Sequence, residues 1–130
     1  MNVQEIYNRY ANGERDFSGV DLMYANLHGA CLAGADFSRA NLAFADLSQA
    51  NLSWIKLRGA RLDGASLIQA NLRRSNLVRA SFVSANFESA DLRAANFTGA
   101  VITGANFDAA HTWGMLMPNG GTVLSTMQFA

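Results

Sequence analysis

A leucine or phenylalanine, once an isoleucine, stands at every fifth position from Phe17 to Phe107, nineteen positions without a slip of register. This period excludes both regular backbones. Five residues carry an α-helix through about 500°, about 140° net, so the large side chains would spiral round the axis and share no face. A continuous strand changes face at every residue, so an odd period would send successive leucines to opposite sides. Both conflicts vanish if the chain turns once in every five residues. Alanine stands two places before the large residue in fifteen of the nineteen units, the exceptions being Arg15, Val20, Ile55 and Ser75. Asp or Asn stands one place before it in thirteen. In a short extended segment, residues two apart point the same way, so alanine and leucine face inward and the Asp or Asn between them faces out. The last two residues make the corner. Glycine closes seven of these corners (Gly19, Gly29, Gly34, Gly59, Gly64, Gly99 and Gly104), and Asn, Asp and Gly are the residues that turns favour. The expected product is a stack of coils about 4.8 Å apart, whose stability is collective as in other solenoids.

The composition fits one folded domain. The chain has 130 residues, half of them hydrophobic and 15% charged, too apolar for a disordered segment. Ten basic residues balance ten acidic ones, which argues against both a uniformly cationic nucleic-acid binder and a strongly anionic chain. The single Cys31 excludes an internal disulfide and a cysteine-based zinc site, and it is expected to face outward. His28 and His111 lie far apart along the axis, so no shared metal is expected. No phosphate-loop, GxSxG, HExxH or CxxC motif occurs, and a packed interior leaves no room for an active site. The chain is therefore read as no enzyme, with no catalytic residue, cofactor or metal. Its first residues, MNVQEIYNRYANGER, hold no apolar run of signal-peptide length, and no window reaches the roughly 20 apolar residues that span a bilayer. The expectation is a soluble cytoplasmic protein without membrane contact.

The units ANLHG, ADFSR, ANLAF, ADLSQ, ANLSW and ANFTG resemble the pentapeptide repeat family, and the resemblance covers residues 15–109. It implies an all-β solenoid, a right-handed quadrilateral β-helix with four pentapeptides per coil; nineteen units then make just under five coils. RYANGERDFSG and MPNGGTV resemble short members abundant in cyanobacteria. Gyrase-protecting members are longer, dimeric and acidic, and they mimic DNA.

The ends depart from the repeat. Val3, Ile6, Tyr7 and Tyr10 have helical spacing and Asn12-Gly13 is a stop signal, so residues 1–14 are expected to form an N-terminal cap with a short helix over 2–12. Residues 110–130 are expected to form a C-terminal cap. There Trp113, Met115, Leu116, Met117, Val123 and Leu124 break the pattern, and Pro118-Asn119-Gly120-Gly121 marks a turn. Their apolar content also suits a homodimer interface through that end.

With twenty residues per coil, Tyr24 and Phe44 stack on one face, and Trp54 lies on the opposite face, packed on the wall. Ile55 puts bulk in an alanine slot and is expected to widen the coil. Charge is uneven: residues 1–46 carry six acidic and three basic groups, whereas residues 56–93 carry seven basic and three acidic ones. Arg73, Arg74 and Arg93 fall on one face and Arg58 and Arg79 on the next, a docking patch for an acidic protein or a phosphate group. These features point to a noncatalytic protein-interaction or scaffold module, with Tyr24, Phe44, Arg73, Arg74, Arg79 and Arg93 as candidate contacts and an unidentified protein as partner. The alternative is a topoisomerase- or gyrase-directed regulator imitating a DNA duplex, which needs an elongated dimer with a continuous acidic strip.

Overall fold

The computed structural model describes residues 1–124. The chain winds so that single residue pairs, all parallel, join each unit to the one twenty residues on. One ladder runs from Asp16 through Asp36, Lys56, Asn76 and Asn96 to Leu116; the others run from Asp21 to Val101, Asn26 to Asn106 and Cys31 to His111. An offset of twenty is four units of five, so each coil has four sides. The walls are numbered 1 to 4 by the ladders that start at Asp16, Asp21, Asn26 and Cys31.

The unit Ala70–Arg74 shows why this sequence makes this coil. A backbone donor left unpaired loses free energy, so all five N–H groups need acceptors. Ala70 donates to the Leu67 carbonyl across the preceding corner (3.0 Å), Asn71 to Ala50 in the coil before (2.9 Å), Leu72 to Asp91 in the coil after (2.8 Å) and Arg74 to Arg93 (3.1 Å). Only the Arg73 N–H remains, and the Asn71 side chain accepts it through Oδ1 at 3.1 Å. The Asp or Asn is thus an acceptor for the N–H two residues on. All thirteen of them make this bond, from Asp16 to Asn106. Where Ser81 takes the place, Asp63 reaches up from the coil before and accepts from the Val83 N–H at 3.0 Å and from the Ser81 hydroxyl. The corner closes through a bond such as Ser75 N–H to Leu72 carbonyl (3.1 Å), with Arg74 at a φ of +57°, the positive angle that type II turns place third.

Three of the thirteen acceptors, Asp16, Asp46 and Asp91, have carboxyls held low in the fold and make stability pH-dependent. The Ser48 hydroxyl, then the Ser48 amide, hold the Asp46 carboxyl below the usual carboxylate range, against a partial burial that pushes it up. Asp16 is lowered likewise by the Ser18 hydroxyl and amide. A carboxyl whose pKa is lower folded than unfolded stabilises above its unfolded value, about 3.9, and that contribution is lost as pH falls through the folded value. The melting temperature is therefore expected to fall below about pH 4. Asp46→Asn keeps the Oδ1 acceptor without the proton, so circular-dichroism melts should show a shallower acid slope. Equal slopes in both proteins would remove Asp46 from the account.

Alanine and leucine rows fill the interior as one cluster. Ser75 occupies an alanine slot, buried, with its hydroxyl donating to the Leu72 carbonyl at 2.7 Å. Phenylalanines concentrate toward the C-terminal coils, where Phe87 stacks on Phe107 at 4.9 Å and meets Phe97 edge-on at 5.7 Å. Ile55 is buried, and beside it lies a void of about 10 Å³ lined only by apolar side chains, including Leu27, Phe37 and Leu57. That is at the threshold for a single water, which would find no polar partner there.

The ends differ from the sequence expectation in one respect. Coil geometry does not stop at residue 109. His111 pairs with Asp91 and Leu116 with Asn96, Met115 fills an alanine slot and Gly114 takes the positive-φ corner at +74°. Thr112 and Met117 stand where leucine or phenylalanine would, and His111 and Leu116 replace Asp or Asn, which conceals the unit from a pattern of side chains. The chain then reverses through Pro118–Gly120. Thr122 pairs antiparallel with Leu116, and the Val123 N–H donates to the Met115 carbonyl at 2.8 Å. The remainder of the expected cap, residues 125–130, lies outside the described residues.

At the other end, α1 (Val3–Ala11) begins at Asn2, whose side chain accepts the Glu5 N–H at 2.9 Å. It ends in a Schellman arrangement: Gly13, at a φ of +91°, donates to Tyr10 (3.0 Å) and Glu14 donates to Arg9 (3.0 Å). Ile6 is fully buried in the core cluster, and the Tyr10 hydroxyl donates to the Ala33 carbonyl at 2.8 Å.

Candidate functional site

The last residue of each unit has positive φ at every corner from Gly19 to Gly114, so its side chain leans outward and toward the next coil. Residues twenty apart then stand in columns. On wall 2 the Tyr24 and Phe44 rings stack with centroids 5.3 Å apart and planes 12° from parallel. Tyr24 is 70% exposed and Phe44 54%. The next place in the column is Gly64, where an added Cβ would sit 2.5 Å from Phe44 Cδ1 and Cε1. The phenyl ring therefore rests on bare backbone, held between Tyr24 and Gly64. The same columns order polar side chains on wall 3, where Gln49 donates to Gln69 at 3.1 Å and His28 Nδ1 lies 2.7 Å from Ser48 Oγ.

Wall 4 holds three of the candidate arginines, and two are already occupied. Arg93 donates two hydrogen bonds to Asp91, Nε to Oδ1 at 2.9 Å and Nη2 to Oδ2 at 2.7 Å. Arg73 approaches the same carboxylate at 3.9 Å. Burial pushes the Asp91 carboxyl up, but the Arg93 hydrogen bonds and the two positive charges outweigh it and hold it below the usual range. Arg74 stands apart from them, its guanidinium 5.3 Å from the centre of the Trp54 ring. Trp54 thus meets the side chain one coil on. Arg79 belongs to wall 1, its Cγ 3.1 Å from where a Cβ on Gly99 would be. The six candidates therefore form no single site: Tyr24 and Phe44 share wall 2, Arg73 and Arg93 share a carboxylate, and Arg74 and Arg79 lie on adjacent walls.

Comparison with known sequences decides the family. The profile for pentapeptide repeats matches residues 16–39, 35–74 and 75–111, in eight copies. The chain belongs to the pentapeptide repeat family. Solved structures agree. The chain is similar to the pentapeptide repeat protein Rfr23 of the cyanobacterium Cyanothece 51142, with 27% identity over 86% of this chain and 92% of that one and a TM-score of 0.55. A pentapeptide repeat protein of the Arabidopsis thaliana thylakoid lumen matches with 24% identity over 77% and 63% of the two chains, TM-score 0.58. HetL of Nostoc sp. strain PCC 7120, involved in heterocyst differentiation regulation, matches with 24% identity over 95% and 100%, TM-score 0.43. A comparison with functionally curated proteins returns no match. The family, with the Rfr23 and Arabidopsis structures, implies a right-handed quadrilateral β-helix for this pentapeptide repeat protein.

Its hollows carry little chemistry. A groove of about 420 Å³ between α1 and the first coil is lined by Tyr7, Tyr10, His28 and Cys31 among others. Burial pushes the Tyr7 phenol up; burial and the neighbouring Cys31 do the same to Tyr10, against the pull of Arg15. His28 is engaged with Ser48, and no hydrogen bond joins it to Cys31, so no nucleophile–base pair forms. Among the described residues no cluster of His, Cys, Asp and Glu suits a metal ion, and no helix is long and apolar enough to cross a membrane.

Proposed function

We propose that this pentapeptide repeat protein is a noncatalytic interaction module that presents rigid columns of side chains to a protein partner. The Tyr24–Phe44 stack carries this reading. Two large rings are fixed in the open on wall 2, and no apolar cover lies over them. Rigid, exposed aromatic side chains dominate binding energy at protein interfaces, because little rotamer freedom remains to be lost on docking. Arg74, supported by Trp54, is a second contact on the opposite wall; Arg73 and Arg93 contribute less because they share the Asp91 carboxylate, which offsets one of their two charges. The C-terminal end, where Trp113 and Leu124 are exposed, is where a second copy would join. The exposed, unpaired Cys31 fits a reducing compartment and supports a cytoplasmic setting.

The duplex-mimic alternative needs a continuous acidic strip. Wall 3 has three acidic groups and no Lys or Arg, but Ser66 and Ile68 separate Asp46 from Glu88. The interaction reading is tested by capture on immobilised wild-type protein beside Phe44→Ala and Trp113→Ala. A partner retained by Trp113→Ala and weakened at least about tenfold by Phe44→Ala is expected, the loss typical of a hot spot. Undiminished binding to Phe44→Ala, with its melting curve intact, would move the contact off wall 2.

A further inference from the structure

Five units lack the Asp or Asn acceptor and have no substitute for it: those with Cys31, Lys56, Arg61, Ser66 and Val101 in its place. In two of them the replacement is a cation. Lys56 and Arg61 belong to consecutive units of one coil, so the N–H groups of Arg58 and Asp63 have no acceptor among the described residues. Beside each unpaired donor stands a positive charge where thirteen other units hold a carboxylate or carboxamide oxygen.

The surroundings are positive as well. Arg39 stands on the coil before, its Cγ 3.6 Å from where a Cβ on Gly59 would be, so its stem lies against the glycine of the unit that holds Lys56 and Arg58. Arg79 stands on the coil after. All five cations are exposed, and the ion pairs among the described residues are Arg9–Glu14, Arg73–Asp91 and Arg93–Asp91, so none of the five is in a contact ion pair, although Arg39 helps to hold the Asp16 carboxyl low. Asp36, paired with Lys56 along the ladder, accepts the Ser38 N–H, and Asp63 accepts from Ser81 and Val83; neither is in a contact ion pair with these cations. Arg15, the remaining cation of wall 1, is spent on the Tyr10 and Glu14 carbonyls.

We propose that this stretch of wall 1, with the start of the adjoining unit on wall 2, docks an acidic polypeptide segment through Arg39, Lys56, Arg58 and Arg79 of wall 1 and Arg61 of wall 2. A carboxylate from the partner takes the acceptor place beside the Arg58 N–H, and Lys56 supplies the opposite charge; a second does the same at Asp63 N–H and Arg61. The fold itself defines the ligand, because the acceptor that fits this place elsewhere is a side-chain carboxylate or carboxamide oxygen. Three coils span about 10 Å, the reach of about three extended residues. Nucleic acid fits less well: Ser38, Gly59 and Val78 lie between the cations and offer no ring for a base to stack on, and Asp16 and Asp36 stand at the end of the same wall. A second copy docking through its acidic wall 3 would bury at most about 400 Å² per side, from five coils of about 4.8 Å and five residues of at most about 3.5 Å, half the roughly 800 Å² of a stable interface.

The inference stands on charge and unpaired amides, independently of the wall 2 aromatics, so Phe44→Ala should leave it untouched. The test uses a labelled decapeptide of alternating glutamate and glycine, followed by fluorescence anisotropy at low ionic strength. Wild-type protein should bind it saturably, with amide shifts at Arg58 and Asp63 in NMR titration. Lys56→Asn with Arg61→Asn restores the acceptor of the repeat itself. That variant should melt no lower than wild type and lose at least about tenfold in affinity, whereas Arg9→Gln should change little. Should the double variant melt lower, Arg39→Gln with Arg79→Gln provides the same readout, again a fall in affinity. No binding by wild type, equal binding by both variants, tighter binding of a single-stranded oligonucleotide of equal charge, or self-association abolished by the double variant would each overturn the proposal.

Discussion

Leu67→Asp is expected to abolish the cooperative thermal transition of the chain. Leu67 is fully buried on wall 3 between Leu47 and Phe87, one coil away on either side, and its N–H donates to the Asn86 carbonyl at 2.7 Å. Truncating a buried leucine costs about 2–5 kcal/mol. An unpaired carboxylate in a dry interior adds several kcal/mol, or the group protonates and still lacks a partner. Together these approach or exceed the roughly 5–15 kcal/mol that holds a domain folded. Each coil also pairs only with its neighbours, so a failed coil leaves both adjoining ladders without acceptors. Leu67→Met, which conserves volume, should cost less than about 1.5 kcal/mol. Circular-dichroism melts of the two variants check this, and a wild-type transition in Leu67→Asp would contradict the inward assignment of the large residue.

Ile55→Ala should lower stability by about 2–3 kcal/mol even though it restores the residue that fifteen units carry. Two effects compete. Consensus substitutions in repeat proteins commonly stabilise by about 0.5–2 kcal/mol. Against this, Ile55 is buried beside a void of about 10 Å³, and its column neighbours, Ala35 and Ser75, are too small to fill the space it would leave. The cavity term is the larger unless the walls close in. Urea titration of both proteins decides it: a raised midpoint would mean that the coil relaxes to its regular width and that Ile55 is the strained residue.

Much of this molecule is legible because five residues form a complete structural sentence. Period, facing and corner follow from Ala-Asn-Leu spacing alone, and the four units per coil that the family resemblance implies then place Phe44 over Tyr24. The C-terminal limit was not legible, since Thr112 and Leu116 obey the backbone pattern while abandoning its side chains. Nor was the sharing of the Asp91 carboxylate by Arg73 and Arg93, although the two-residue separation of Asp91 and Arg93 held the signal. The service of Asp63 to Ser81 and Val83 needs the distance between coils, which no residue pattern contains. The cations of wall 1 were divided among sequence halves, and only the columns of Arg39, Gly59 and Arg79 unite them around Lys56 and Arg58.

The central claim is that side chains twenty residues apart stand in fixed columns, and nuclear Overhauser contacts test it most directly. The account predicts ring-to-ring contacts between Tyr24 and Phe44, and backbone contacts at an offset of twenty along all four ladders from Asp16 to Leu116. Contacts at another offset, or ladder contacts without the Tyr24–Phe44 pair, would contradict the columns on which the interaction reading rests.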